Sequence, residues 1–475
     1  MRDAMAEREA APAAAVSSPA ADDPSATLLS RGFLVLLAIA AIVGVAVSLA
    51  AWCFVELIYQ MQQELYHHLP SALGYSSGPP IWWSLPILAV AGVITALAIT
   101  RLPGGGGHIP AEGLKVGGAP TRPIDLPGVI LAGLASIGLG LVIGPEAPLI
   151  ALGAGLAVAI VRLARRQAPS QVLLVVGAAG SFAALSFVFS SPIIAAVILI
   201  EATGLGKSRL PIVLIPGLVG AGIGSLVSIG MGSFTGLSSS AYALGPLPLP
   251  GFHHPTAGNF AWTIALALVV AVVAFLIRTG GLRTQRLVKP HPLLLLPVCG
   301  LIVSGLAIAF SQSSGKGINE ALFSGQDALP GLISSAGTWS LSALALLIGF
   351  KGLAYSISLG SFRGGPTFPA IFLGAAGGIM ASHLPGFPVT AAVAVGIGAG
   401  TVAILRLPLS AVIIATLLTA KSGAGAEPLT IIGVVVSYLA TLRLAAIGAT
   451  SEKAPAAAET AGAPAPAPPA APAAA

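Results

Sequence analysis

Long apolar stretches recur along the middle of the chain with only short polar interruptions: Phe33 to Phe54, Ile81 to Ile99, Pro127 to Ile143, Leu210 to Ile229, Phe260 to Ile277 and Leu293 to Phe310. A bilayer core is crossed by an α-helix of about 20 apolar residues, so each stretch is predicted to span, and about ten or more membrane segments follow. The expected fold class is an all-α polytopic membrane protein. Residues 1–30 are rich in Ala, Pro, Ser and acids and lack the basic start and cleavage site of a signal peptide, so they read as a disordered tail. Residues 448–475, dominated by Ala and Pro, read the same way and leave no room for an appended regulatory domain.

Composition agrees with the pattern: 56% of residues are hydrophobic and 8% charged, against the roughly 25% charged of soluble domains. The net charge of +6 suggests topology more than nucleic acid, because the basic residues sit in short loops beside apolar segments. Arg162, Arg165 and Arg166 mark one such loop, Lys207 and Arg209 a second, and Arg278, Arg283, Arg286 and Lys289 a third. These loops are expected in the cytoplasm, with both termini, in a cell-membrane protein. No Lys or Arg lies between Arg31 and Arg101 or between Arg209 and Arg278, which places the loops near His67 and His253 outside.

The chain also repeats itself. Gly144 to Ala154 (GPEAPLIALGA) and Gly365 to Ala375 (GPTFPAIFLGA) share seven of eleven positions, and PIIAAVILIEAT from Pro192 resembles PLSAVIIATLLT from Pro408. The helix opened by Pro145 runs into Arg162–Arg166, whereas the one opened by Pro366 runs into SHLPGFPVT, which carries no Lys or Arg. Opposite flanking charge predicts two inverted-topology halves, residues 31–232 and 260–447, joined by an external loop at 233–259, with broken helices meeting near the membrane midplane.

Gly followed by Pro and a long apolar run is a helix start, with Pro at the first helical position. Inside a membrane, such a start needs partners for its free N–H groups, and its dipole favours an anion. The run GGGGHIP from Gly104 to Pro110 offers further flexible backbone donors. Of nine acidic residues outside the tails, Glu146 and Glu201 lie deepest in apolar runs. Glu146, next to Pro145, can occupy the anion site as a carboxylate and leave it when protonated, acting as plug and proton carrier; the plainer alternative is a helix cap. Glu201, six residues before Lys207, reads as an ion-paired interfacial glutamate or as an internal proton relay. His108 tunes proton access or is a neutral hydrogen-bonded histidine. His67/His68 and His253/His254 have no acidic or cysteine partner at ligand spacing, and Cys53 and Cys299 form no disulfide or zinc pattern, so no metal or cofactor is expected.

These motifs resemble the CLC chloride channel and transporter family. GGHIP at Gly106–Pro110 resembles its GSGIP, GPEAP at Gly144–Pro148 its GREGP, and GGPTFP at Gly364–Pro369 its GGxFxP, with similarity over residues 31 to 445. The resemblance implies a homodimer with one anion pore per subunit, Glu146 as external gate, and an anion lined by Gly106, Gly107, His108, Ile109, Ala147, Thr367 and Phe368. It also marks departures. The family's serine falls on Gly107; its arginine falls on Pro145, and Pro366 removes a second backbone donor; its phenylalanine falls on Thr367, a possible hydroxyl donor, with Phe368 one place later. Its internal proton-transfer glutamate falls on Ala202, beside Glu201, and the helix bearing its pore tyrosine has no counterpart before the chain ends. The expected function is anion transport, chloride by family default with fluoride or nitrate as alternatives, either passive or coupled to protons. A membrane-embedded enzyme finds no convincing nucleophile, base or metal set in the apolar segments, and a non-transporting structural subunit is the remaining rival.

Overall fold

A computed structural model describes residues 28–461 except 77, 115–119, 205–209 and 236–243, and the side chains only as far as residue 448. Residues 1–27 of the expected tail at 1–30, the Lys207 and Arg209 loop, residues 236–243 of the expected external loop, and residues 462–475 lie outside the described residues. The described chain is helical, and nine of its helices are long and apolar enough to cross a membrane. Fourteen helices fall into two sets of seven. The first set is α1 (Arg31–Gln63), α2 (Ser84–Arg101), α3 (Leu126–Gly133), α4 (Glu146–Ala164), α5 (Ser170–Phe189), α6 (Pro192–Thr203) and α7 (Leu210–Thr235). The second is α8 (Ala257–Val288), α9 (Pro292–Ser314), α10 (Leu341–Ser361), α11 (Thr367–Ala381), α12 (Val389–Leu405), α13 (Pro408–Leu418) and α14 (Glu427–Ala461). Short helices at Leu69–Ala72 and Ala328–Ser334 belong to connections.

Packing repeats with the order. α4 lies on α5 as α11 lies on α12, α5 on α7 as α12 on α14, and α1 on α7 as α8 on α14. Between the halves, α2 meets α9 and α6 meets α13, each its own counterpart. Lipid supplies no hydrophobic drive between helices, so close approach through small residues does the holding. Gly153 of α4 presses on the backbone of Gly180, and Gly374 of α11 on that of Gly396; Gly153 and Gly374 hold equivalent places in the repeated motif, and a Cβ at either would collide with the facing backbone. Leu268, Val269, Val272 and Leu276 on α8, in contrast, are exposed as a lipid-facing stripe.

Three sequence expectations need correction. The run Pro127 to Ile143 is not one span: α3 passes into a π-helical turn at Leu134–Gly138, and residues 139–145 continue as irregular backbone. That backbone is buried, which is tolerated because protein encloses it. Its donors are met inside the molecule: Leu141 N–H donates to Ser136 O, Val142 N–H to Ser358 Oγ, and Gly144 N–H to Gly365 O. Prolines 145 and 366 are N-caps, with the helices beginning one residue later at Glu146 and Thr367. In addition, α14 continues to Ala461, into the segment read as a tail; its run of alanines is a strong helix former.

Candidate functional site

The repeated motifs meet directly. Gly144 N–H donates to Gly365 O at 2.8 Å and Gly365 N–H donates to Gly144 O at 2.5 Å, an antiparallel bridge between equivalent residues of the two halves. A reciprocal pair of this kind lies on a local two-fold axis, so α4 and α11 start from the same point.

Glu146, the first residue of α4, is fully buried and reaches across this bridge: Phe368 N–H donates to its Oε1 at 2.8 Å. Oε2 and Thr367 Oγ1 are both buried and neither makes a hydrogen bond of good geometry. A charge-assisted bond of this type contributes about 1.5–3 kcal/mol, and the N-terminus of α11 adds up to about 2 kcal/mol. Against them stands a desolvation cost of several kcal/mol for a buried carboxylate, so the favourable and unfavourable contributions are of similar size.

The glycines make room for it. A Cβ on Gly365 would stand 2.5 Å from Glu146 Cδ, and one on Gly144 2.8 Å from Oε1. Tyr355, also fully buried, donates its hydroxyl to Pro366 O at 2.5 Å and fixes the residue that precedes α11. The Phe368 ring stacks on Phe189, centroids 5.1 Å apart, tying that start to the end of α5 in the other half.

Beside this carboxylate, next to Ala147, lies a cavity of about 410 Å³ lined by Gly104, Gly107, His108, Val129, Ala147 and Asp125 among others. Gly107 sits at φ +94°, where its lack of a side chain leaves the backbone open. Arg122 and Asp125 form a two-bond ion pair of 2.9 and 3.0 Å at this cavity. On the other side, a pocket of about 30 Å³, the share of one water molecule in the liquid, is lined by Tyr59, Gln62, Pro145, Ser324 and Asp327. Asp327 is exposed as a residue, yet the protein crowded around its carboxyl pushes that group up to about 7.

The residues singled out in the sequence thus fall in two adjoining groups. Gly107, His108 and Ala147 line the cavity; Glu146, Thr367 and Phe368 meet where α4 and α11 start. Gly106 is buried beneath the loop and Ile109 half-buried beside it. His108 is engaged by its own loop, with Nε2 bonded to the Gly113 carbonyl. Glu201 is elsewhere: its carboxylate accepts from Leu409 N–H at 2.9 Å, Ser410 N–H at 2.8 Å and Ser410 Oγ at 2.6 Å, so it caps α13 across the interface of the halves. Sequence reading, which had offered an ion pair or a relay, had no means of seeing this donor set.

Arg363 was missed altogether. Only 8% exposed, it donates from Nε to Gly105 O at 3.3 Å and from Nη1 to Phe362 O at 3.2 Å, which clamps the glycine loop to the residues before α11. It is the single charged residue from 352 to 405, a signal that was available. Lys351, fully buried, is satisfied by Glu320 O at 3.0 Å and Leu322 O at 2.5 Å, over the ring of Phe372.

Residues 101–442 match the family model described as voltage gated chloride channel. The chain belongs to that family. Among curated proteins it is 30% identical over 366 residues to YfeO of Shigella sonnei (strain Ss046), a protein named for a proposed ion-transport role, covering 76% of this chain and 82% of the relative. The Escherichia coli (strain SE11) protein of the same name is 29% identical over the same length. In fold it is similar to a slow cyanobacterial Cl⁻/H⁺ antiporter (TM-score 0.69, 19% identity, 86% of this chain and 94% of that one) and to a CLC-type fluoride/proton antiporter (TM-score 0.61, 19% identity, 86% and 95%). Both likenesses are to the CLC fold, with its two opposed halves and broken helices, as the motifs had led one to expect.

Proposed function

We propose that this protein moves small inorganic anions across a cell membrane through a CLC-type pathway in which Glu146 is the gate. The observation that carries the reading is the position of the Glu146 carboxylate, seated on the Phe368 N–H at the start of α11 where a transported anion would be received. While ionised, the carboxylate fills that place. Protonation removes the charge that the helix start attracts, the side chain leaves, and an anion takes the Phe368 N–H and the unpaired Thr367 hydroxyl. Gly107, His108 and Ala147 line the approach from the larger cavity, and a water in the small pocket beside Pro145 would bring a proton within one residue of Glu146. The chemistry is binding and release, with no bond made or broken in a substrate.

Anion efflux from liposomes holding the purified protein, with internal pH recorded, tests this. Wild type moves halide, and Glu146→Ala loses proton movement while keeping or raising anion flux. Absence of anion flux under every gradient would sink the transport reading; equal proton movement in Glu146→Ala would remove that residue from its role.

A further inference from the structure

A groove of about 350 Å³ runs between α8, α10, α11 and α12, apart from the cavity at Gly107 and His108. Its lining is hydrocarbon, with Leu266, Val273 and Ile277 from α8, Ile348 from α10 and Leu373 from α11. Among the described residues no charged side chain lines it, and the one hydroxyl there, that of Tyr355, is already given to Pro366 O. Pockets of this size that take polar ligands set a few polar groups to orient them. This groove has none to offer.

The helices agree on its direction. Ala265, Leu341, Met380 and Leu384 lie at one end, and Ile277, Tyr355 and Ala370 at the other. The first end is the outer one, because no Lys or Arg lies between Arg209 and Arg278 or between Arg363 and Arg406, whereas α8 runs at its far end into Arg283, Arg286 and Lys289. Trp262, just before Ala265, donates its indole N–H to Pro385 O at 3.0 Å, the kind of residue found at a membrane interface. From Ala265 to Ile277, at 1.5 Å per residue, the groove runs about 18 Å, close to one leaflet of a hydrocarbon core about 30 Å thick. Its side is open to lipid, since Val269, 57% exposed, belongs both to the groove and to the lipid-facing stripe of α8. Deeper in, Leu373 and Ile277 are only 8% and 7% exposed, so lipid passing over the surface barely touches them.

We infer that this groove binds one acyl chain of an outer-leaflet phospholipid, methyl end inward. A space of this size left empty forfeits the dispersion contacts of its lining, and lipid hydrocarbon is the apolar matter at hand at that depth. A mouth at the interface, a length of one leaflet and an open side admit a chain still joined to its headgroup. At the deep end stands Tyr355, whose hydroxyl holds the residue that caps α11, so the chain backs the helix start on which Glu146 is seated. That bearing on the gate rests on the transport reading; the binding does not.

Photolabelling of the full chain in liposomes tests this with two phosphatidylcholines, one carrying a diazirine near the methyl end of an acyl chain and one near its carboxyl end, the labelled residues being read by peptide mass spectrometry. The methyl-end probe is expected to label Leu373 and Ile277, and the carboxyl-end probe Met380 and Leu384. Gly377→Leu, whose Cβ would meet only Val270 Cγ2 at 3.7 Å, and Val273→Phe fill the groove from facing walls. Each should cut labelling of Leu373 at least fivefold and leave that of the exposed Leu276 unchanged. Wild type labelled at Leu276 but at neither Leu373 nor Ile277 overturns the inference, whether the groove is empty or covered by a second copy of the chain. A reversed order of the two probes also overturns it, as do filled variants that elute as the wild type does and label like it. Labelling is read without any flux, so failure of this inference and failure of the transport reading are told apart.

Discussion

Adding one methyl group at Gly365 puts the proposed gate under the most direct stress. The backbone of Gly365 cannot retreat, because both its N–H and C=O are engaged by Gly144. The new Cβ would stand 2.5 Å from Glu146 Cδ and 3.0 Å from its Cβ, inside contact distance, so the carboxylate must leave Phe368. What is lost is a charge-assisted bond of about 1.5–3 kcal/mol. At about 1.4 kcal/mol per tenfold, the population with the plug released should rise about 10- to 150-fold, up to saturation. Halide efflux from liposomes should increase accordingly and lose its dependence on pH. Gly317→Ala, where nothing lies within 4 Å of the added methyl, serves as the control. The decisive comparison is a cycle with Glu146→Ala: once the carboxylate is gone, Gly365→Ala has little left to displace, and its effect should largely vanish. Additive effects of the two substitutions, or a Gly365→Ala protein that is folded and carries flux with the wild-type pH profile, would refute the reasoning.

Other outcomes follow from the same geometry. Glu201→Ala should lower stability to unfolding in detergent by about 1–2 kcal/mol through loss of the α13 cap, with proton movement unchanged; loss of coupling without loss of stability would restore the relay. Thr367→Val removes a buried hydroxyl that lacks a partner, so stability should hold or rise, while the anion concentration for half-maximal flux should increase about five- to tenfold, equivalent to about 1–1.4 kcal/mol. Asp327 has its carboxyl raised to about 7 on folding, so the stability it contributes is full below about pH 4 and is lost as pH rises through 7; Asp327→Asn should flatten that slope in a pH series of thermal unfolding.

How much of this could be read in advance depended on whether a residue acts through its neighbours in sequence or through distant ones. The duplicated motif, the opposed loop charges and Glu146 beside Pro145 are local signals, and they led to the broken helices and to the carboxylate buried where they meet. The irregular stretch 139–145 was read as helix because its residues are apolar; apolarity marks burial, and only the facing Ser358 and Gly365 make non-helical backbone possible there. Glu201 was placed by its distance from Lys207, whereas its partners are 208 and 209 residues away. Arg363 carried a visible anomaly, a lone charge in an apolar run, but its use as a clamp on Gly105 needed the glycine loop to be brought beside it.

The Gly144–Gly365 bridge also orders events during synthesis. Gly144 is made long before Gly365, and until the later residue arrives the N–H and C=O of Gly144 and the carboxylate of Glu146 have none of their final partners in the bilayer. The first half therefore cannot satisfy these groups by itself; their partners lie some two hundred residues downstream. A chain truncated before α11 should accordingly leave the Gly144 N–H and C=O unpaired, so the bridge bears on the order of assembly as well as on the position of Glu146.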